Sequence, residues 1–157
     1  MPKPSEDLLG RDINKAIAAL EMPSRPKSLY DPVKYTLQLG GKRIRPRLVL
    51  IGCGLGSGRH SEALPAAIAV ELLHNFTLIH DDIMDGATSR RGQPAVHTRW
   101  DESTAILSGD VMFNLAYQQL ERYTDAALFA RLHGVFSEAT RIVCDGQALD
   151  MEFESSL

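Results

Sequence analysis

A long apolar run with helical spacing, residues 61–84, most strongly limits the folds that this chain can adopt. At about 1.5 Å per residue the predicted helix is on the order of 30 Å long. Ser61 is a suitable N-cap, and Pro65 suits the first turn. Its apolar residues occupy most of the helix circumference: Leu64, Ile68, Val70, Leu72, Leu73, Phe76 and Ile79. We therefore predict that this helix is central in a helical bundle.

Further helical patterns lie on both sides of this run, and no segment alternates with period two. The apolar run 48–58 ends in glycines but lacks the third glycine or the lysine of a nucleotide-binding loop, so we interpret it as a helix ending in a turn. The other predicted helices span Ser5 to Leu20, Pro32 to Leu39 with Pro32 in the first turn and Gly40 after the end, Asp101 or Ser103 to Leu120, and Asp125 to the C-terminal region. The predicted class is all-α.

Composition narrows the kinds of protein that fit. A chain of 157 residues that is 44% hydrophobic can form one domain with a core, which we expect to span residues 1–157. The net charge of −3 gives no reason to expect nucleic acid. Cys53 and Cys144 lack metal-binding spacing, so we expect both to be structural and unpaired in a reducing compartment. No apolar leader and no membrane-spanning segment are expected, which predicts a cytoplasmic protein.

Three carboxylates, Asp81, Asp82 and Asp85, end the central helix. Residues four apart on a helix are neighbours, so Asp81 and Asp85 repel each other unless a cation lies between them. A solvated acidic helix end does not fit, because the preceding residues are apolar and the helix C-terminus disfavours negative charge. The EF-hand spacing also fails. Because Mg²⁺ takes one or two carboxylates together with water and substrate phosphate, we predict Mg²⁺ at Asp81 and Asp85.

The helix surface that leads to these carboxylates suggests an amphiphilic substrate. Val70, His74 and Thr77 lie within about 40° of Asp81 around the helix, which makes a mostly apolar stripe beneath a metal site. A diphosphate with a hydrocarbon tail suits such a surface. His74 fits either a packed core histidine or a ligand-binding residue, and this alternative stays open at the level of the sequence.

Two basic segments suggest two anionic substrates. Lys42 to Arg47 contains four cations in six residues, and Arg90-Arg91 follows the carboxylates. The first segment suits either a solvated face or an anion site. One diphosphate neutralised by Mg²⁺ would not need both segments, so we expect one substrate bound through metal and another directly by lysine and arginine.

Five motifs, in this order and at these spacings, resemble those of the all-trans isoprenyl (polyprenyl) diphosphate synthases. They are Gly40-Gly41-Lys42-Arg43-Ile44-Arg45-Pro46, Asp81-Asp82-Ile83-Met84-Asp85, Arg90-Arg91-Gly92, Leu107-Ser108-Gly109-Asp110 and Gly146-Gln147-Ala148-Leu149-Asp150. The pattern, with no extra residue inside the Asp motif, is most similar to that of geranylgeranyl-type synthases. The resemblance implies a helical bundle of the isoprenoid synthase type, of which this chain would form the N-terminal half.

The resemblance also implies a reaction and a role for each matching position. Mg²⁺-assisted ionisation of an allylic diphosphate would be followed by alkylation of isopentenyl diphosphate and loss of a proton, without a protein nucleophile. Asp81 and Asp85 would coordinate Mg²⁺ with Asp82 in support, and Arg90 would contact the allylic diphosphate. The diphosphate of isopentenyl diphosphate would be bound by four residues: Lys42, Arg45, His74 and Arg91. Gln147 and Asp150 would belong to a helix lining the cavity, and Phe76 and Thr77 would limit product length.

The family's second Asp-rich motif does not occur in this sequence. We therefore expect a piece of a longer protein, a chain that pairs with a complementary C-terminal chain, or a short homologue that self-associates, with a homodimer as the simplest assembly. Two functions follow: a prenyltransferase in its complete form, or a non-catalytic half-domain or regulatory subunit that binds a partner and Mg²⁺-diphosphate. A terpene cyclase handles one diphosphate, and the Gly-Gly-Lys-x-x-Arg segment argues against it.

Overall fold

The chain is mostly helical, as predicted. The structure is a computed structural model, and it describes residues 7–56 and 59–156. Within these residues a 3₁₀ helix, His60–Ala63, and one short antiparallel hairpin, β1 (Ser89–Arg90) and β2 (Gln93–Pro94), accompany seven α-helices. The α-helices are α1 (Leu8–Ala18), α2 (Lys27–Gln38), α3 (Ile44–Gly56), α4 (Leu64–Met84), α5 (Val96–Arg99), α6 (Glu102–Leu120) and α7 (Ala126–Ser155). The all-α class is confirmed.

The chain divides into two compact units, Met1–Gln119 and Leu120–Leu157. The core of the first unit takes its most buried side chains from five helices, α1, α2, α3, α4 and α6: Ile13, Val33, Leu50, Leu72 and Met112. α4 packs against α1, α3 and α5, so the long apolar helix is central in this unit. The second unit contains α7. The organisation as one domain, expected from the sequence, stays a prediction.

Several predicted helix ends are confirmed by their capping contacts. The backbone N–H of Thr104 donates to the Asp101 carboxylate at 2.7 Å, and that of Leu128 donates to Asp125 at 2.7 Å. Gly86 follows α4 with a φ of 62°, the left-handed conformation that glycine adopts after a helix. α3 runs to Gly56, which confirms a helix instead of a nucleotide-binding strand, while the rest of the predicted turn lies outside the described residues.

Two predicted helix starts are wrong. α2 begins at Lys27, so Pro32 lies in its interior and not in its first turn. Ser61 does not cap α4, because a 3₁₀ turn runs directly into this helix and the Leu64 N–H donates to the Ser61 carbonyl. α1 begins at Leu8 with Asp7 as its N-cap, and the predicted start at Ser5 lies outside the described residues. Before α4 a 3₁₀ turn supplies residues that the sequence assigned to the helix start, whereas α2 simply begins five residues earlier than its apolar pattern indicates.

The stretch His60–Met84 is long and apolar enough to cross a membrane by length and composition, with a mean hydropathy of 1.3. No such stretch was expected from the sequence. Half of this window is buried inside the protein, and the core helix of a packed bundle passes the same test. The packing of α4 against its neighbours therefore accounts for its hydropathy.

Candidate functional site

A cavity of about 350 Å³ lies beside the turn between α2 and α3. Its lining comes from that turn, from α4 and from the tip of the hairpin: Gly41, Lys42, Arg43, Ile44, Arg45, Glu71, His74 and Arg91. All four residues to which the resemblance assigns the diphosphate of isopentenyl diphosphate, namely Lys42, Arg45, His74 and Arg91, are among them. The fold thus brings both basic segments of the sequence to one pocket.

The turn between α2 and α3 requires glycine where it faces the hairpin. Gly40 and Gly41 have φ angles of 73° and 138°, which residues with a Cβ rarely adopt. A Cβ on Gly41 would lie 2.8 Å from Nη1 of Arg91, so the absence of a side chain lets the guanidinium lie against the backbone. The double glycine therefore ends a helix and also makes room for a cation.

The hairpin directs two adjacent arginines to different places. Arg90 pairs with Gln93, which leaves Arg91 and Gly92 as the two-residue turn. Their φ angles are 54° and 75°, and positive values at both central positions are typical of the tight turns that match strand twist. Arg91 lines the pocket from the tip, whereas Arg90 on the strand contacts Asp82 of α4. Gln93 and Pro94 form β2.

His74 lines the pocket and is half-buried, and its role in binding a ligand stays a prediction. Its Nε2 lies 3.2 Å from Nη1 of Arg45. Burial lowers the pKa of His74, and the positive charge of Arg45 lowers it further. A neutral imidazole can accept a hydrogen bond from the guanidinium, so the tautomer with a bare Nε2 fits this contact.

Crowded positive charge is the main electrostatic property of this pocket. Burial lowers the pKa of Arg91, and the nearby Arg43 adds to the effect. Lys42 and Arg45 are exposed. An anion in the pocket would neutralise these groups and accept their hydrogen bonds, and phosphate oxygens suit guanidinium donors well.

Two pocket residues, Arg43 and Glu71, were missed by the sequence analysis. Arg43 Nη1 lies 2.5 Å from Oε1 of Glu71, and both side chains are buried. A glutamate in the middle of an apolar helix was the available signal, because buried carboxylates are rare unless they are paired. Arg47, by contrast, is a structural member of the basic segment: its Nε donates to the Lys42 carbonyl at 3.0 Å and its Nη1 to Asp7 at 2.6 Å.

The carboxylates at the end of α4 divide into two kinds. Asp82 is buried, and Nε of Arg90 lies 2.8 Å from each of its oxygens. Asp82 therefore contacts Arg90. The resemblance implied instead that Asp82 supports the two neighbouring aspartates. The Asp85 N–H donates to the Asp81 carbonyl at 2.8 Å, which confirms that these two residues lie one turn apart. Burial raises the pKa of Asp81, and the charge of Asp85 raises it further.

Asp81 and Asp85 fit a hard divalent cation. Among the described residues, neither carboxylate accepts a hydrogen bond or lies within ion-pair distance of a cation. No group of three His, Cys, Asp or Glu side chains is gathered in the part of the chain that the structure describes. Two unpaired carboxylates at the negative end of a helix match the way Mg²⁺ is held, since it completes its shell with water and phosphate.

An aromatic column connects α4 and α6 next to the carboxylates. The ring centroid of Phe76 lies 4.7 Å from that of His80 and 5.1 Å from that of Phe113, and Phe113 lies 5.1 Å from Tyr117. The Thr77 hydroxyl donates to the His74 carbonyl at 2.8 Å. Phe76 thus packs within an aromatic cluster between α4 and α6, and its effect on product length stays a prediction.

A glycine of α6 lies directly against a histidine side chain of α4. A Cβ on Gly109 of α6 would overlap the His80 ring, and His80 Nε2 lies 3.3 Å from the Ile106 carbonyl. Gln147 and Asp150 lie on α7, in the second unit, and none of the pocket-lining residues comes from that helix. Their implied role stays a prediction.

The chain is thus an all-α protein whose central helix ends in two neighbouring carboxylates and also contributes to a separate cationic pocket. The family model described as polyprenyl synthetase matches residues 26–157, and the chain belongs to this family. It is 42% identical over 144 residues to a geranylgeranyl diphosphate synthase of Methanosarcina mazei, which covers 91% of this chain and 44% of the relative.

A solved structure and a second relative agree with this family assignment. The crystal structure of a geranylgeranyl pyrophosphate synthetase from Pyrococcus horikoshii matches with a TM-score of 0.87 and 38% identity, over 92% of this chain and 45% of that one. The large subunit 1 of a heterodimeric geranylgeranyl pyrophosphate synthase from Arabidopsis thaliana is 35% identical over 151 residues, which are 90% of this chain and 41% of the relative. The chain spans less than half the length of these relatives.

Proposed function

We propose that this chain supplies the isopentenyl diphosphate site and the first metal-binding carboxylates of a prenyltransferase. The enzyme would condense isopentenyl diphosphate with an allylic diphosphate to give a longer polyprenyl diphosphate. The observation that carries this proposal is the convergence of Lys42, Arg45, His74 and Arg91 on one pocket whose lining excludes Asp81 and Asp85. Two diphosphates thus have two chemically different sites.

Each group has a defined task in this reaction. The pocket cations bind and orient the diphosphate of isopentenyl diphosphate, with arginine forks matched to phosphate oxygens. Asp81 and Asp85 would hold Mg²⁺, which withdraws charge from the leaving pyrophosphate when bound. Asp82 fixes Arg90, which contacts the same pyrophosphate. The allylic C–O bond breaks with its electron pair on oxygen, a C–C bond forms to the isopentenyl double bond, and a proton leaves.

The direct test incubates the 157-residue chain with Mg²⁺, isopentenyl diphosphate and farnesyl diphosphate, and analyses the prenyl products. We expect a geranylgeranyl-length product if the chain is active alone. Light scattering on the same sample reports whether the active species is a homodimer. A folded, homogeneous sample without product would refute activity of this chain alone on this substrate pair.

A second candidate is a non-catalytic half-domain or regulatory subunit that works with a complementary chain. The Arabidopsis relative, named as the large subunit of a heterodimer, supports the pairing with a second chain that this candidate requires. Large apolar side chains on α7, such as Val135 and Phe153, are exposed, which suits contact with a partner. Under this candidate the chain binds inorganic pyrophosphate without turnover, and product appears only after a C-terminal chain carrying a second Asp-rich motif is added.

Product length gives a test of the predicted role of Phe76. Replacing Phe76 with Ala removes one ring from the aromatic column, so we expect longer products in whichever form is active. Phe129→Ala on α7 is a control with the same loss of a ring. Unchanged chain length in the Phe76→Ala products would refute this role. We also propose a cytoplasmic protein, because Cys53 and Cys144 are the chain's two cysteines and give no disulfide framework in the sequence.

A further inference from the structure

A buried ion pair forms part of the wall of the diphosphate pocket. Arg43 Nη1 lies 2.5 Å from Oε1 of Glu71, and each side chain is only 3% exposed. The same guanidinium donates from Nη2 to the Leu37 carbonyl at 2.7 Å and from Nε to Oδ1 of Asn14 at 3.4 Å. One side chain immediately before α3 is therefore bound to α1, α2 and α4.

The carboxylate of this pair is also fixed in place. Nδ2 of Asn75, which is fully buried, donates to Oε1 of Glu71 at 3.1 Å and to the Glu71 carbonyl at 2.7 Å. Buried ion pairs are seldom the most stable way to fill a protein interior, because both charges lose their hydration. A carboxylate in the wall of an anion pocket is also electrostatically unfavourable. Stability alone therefore does not account for the Arg43–Glu71 pair.

The backbone at Arg43 shows what the pair holds. Its φ of 50° lies in the left-handed region, which a non-glycine residue keeps only when its surroundings enforce it. This conformation turns Arg43 into the core while Lys42 and Arg45, on either side of it, remain exposed at the pocket. The buried position of Arg43 and the exposed positions of Lys42 and Arg45 thus depend on the same turn.

We propose that Arg43 is a positioning residue for the diphosphate pocket. By pairing with Glu71 it fixes the backbone from Gly41 to Arg45, so that Lys42 and Arg45 converge with the cations of the other elements. The inference rests on the proposed function, in which this pocket binds a diphosphate. Although Arg43 is part of the pocket lining, its side chain is almost fully buried, so its proposed role is to act through its neighbours.

A charge-neutralising substitution separates positioning from simple electrostatics. Glu71→Gln makes the pocket more positive by one charge, so electrostatics alone predicts tighter binding of an anion. Positioning predicts the opposite, because a neutral amide anchors the Arg43 guanidinium less firmly. Arg43→Lys keeps the charge but loses the planar fork that reaches three elements at once, so positioning predicts weaker binding here too.

The experiment measures the dissociation constant of inorganic pyrophosphate by titration calorimetry, with the 157-residue chain in the absence of Mg²⁺. We expect both variants to bind about tenfold more weakly or worse, the loss that follows from misplacing a charged hydrogen bond. Glu62→Gln and Arg59→Lys are matched controls in an exposed ion pair of 2.8 Å outside the pocket lining, and we expect them to stay within about twofold of the wild type.

The increase in melting temperature on adding pyrophosphate is a second readout. Loss of stability alone lowers the starting melting temperature but leaves the ligand-induced shift intact, whereas loss of positioning reduces the shift. Glu71→Gln binding as tightly as the wild type, or more tightly, would overturn the inference. If Glu71→Gln does not fold, Arg43→Lys decides by the same comparison. A folded wild-type chain that does not bind pyrophosphate would instead overturn the proposed function, and the positioning role with it.

Discussion

Replacing Gly41 with Ala tests the contact between the α2–α3 turn and the hairpin. The φ of 138° at Gly41 is unfavourable for any residue with a Cβ, and we expect a cost of about 1–3 kcal/mol in the free energy of unfolding. The new methyl group would also lie 2.8 Å from Nη1 and 2.9 Å from Cζ of Arg91. Because a guanidinium is the end of a flexible side chain, Arg91 moves away and the backbone does not.

The size of the binding effect follows from the contact that is lost. A hydrogen bond to a charged group contributes about 1.5–3 kcal/mol, so displacing Arg91 should weaken binding of inorganic pyrophosphate by roughly 10- to 150-fold. The melting temperature should fall by about 2–4 °C for each kcal/mol of lost stability. Titration calorimetry and thermal unfolding of the same samples measure the two effects separately.

Gly40→Ala is the matched control. Gly40 also has a positive φ, 73°, but no atom of the described residues lies within 4 Å of the position that its Cβ would take. We therefore expect Gly40→Ala to lose stability and to keep its affinity for pyrophosphate. The reasoning is refuted if both variants lose affinity equally, or if folded Gly41→Ala binds like the wild type.

Three further predictions concern packing, pairing and protonation. Gly109→Ala should lower the free energy of unfolding, measured in urea, by about 1–3 kcal/mol, because its Cβ would overlap the imidazole packed against it. Gly52→Ala, at an open helical position, should raise it by about 0.5–1 kcal/mol. Changes of the same sign in the two variants would contradict this prediction. Asp82→Asn should lower the free energy of unfolding by about 1–3 kcal/mol, because it weakens the ion pair with Arg90. Asp85→Asn, at an exposed position, should change it by less than about 0.5 kcal/mol. Equal losses in the two variants would argue against the Asp82–Arg90 pair. Because the pKa of His74 is lowered in the fold, the unfolded chain binds more protons near and below the ordinary value of 6.5. The wild type should therefore lose stability relative to His74→Gln as the pH falls below about 6.5 and not above it, and a pH-independent difference between the two would refute the shift.

Local signals explain which parts of the fold were predictable. The apolar periodicity of α4 and the caps at Asp101 and Asp125 act within one or two helical turns, so the sequence alone indicates them. The spacing of Asp81 and Asp85 likewise follows from helix geometry. The start of α2 was wrong because its first residues, from Lys27, lack a strong apolar pattern, and Pro32 is tolerated in the interior.

The rest of the site depends on contacts between distant segments. Whether Arg43 points into the core or towards the pocket depends on Glu71, 28 residues away, and a basic run in the sequence gives no indication of it. The pairing of Asp82 with Arg90 requires the hairpin to return towards α4, and two-residue strands leave almost no period-two pattern. The family resemblance supplied the predicted diphosphate-binding residues, and the fold shows which contacts hold these residues in one pocket.

The central claim is that two diphosphates are bound by different chemistry, one directly by cations and one through a metal. Calorimetric titration of isopentenyl diphosphate into the 157-residue chain, with EDTA present, tests this claim most directly. We expect one molecule to bind per chain without Mg²⁺, and we expect this binding to be lost in Arg45→Ala and retained in Asp81→Asn. Binding that requires Mg²⁺ or Asp81, or no binding by a folded chain, would contradict it.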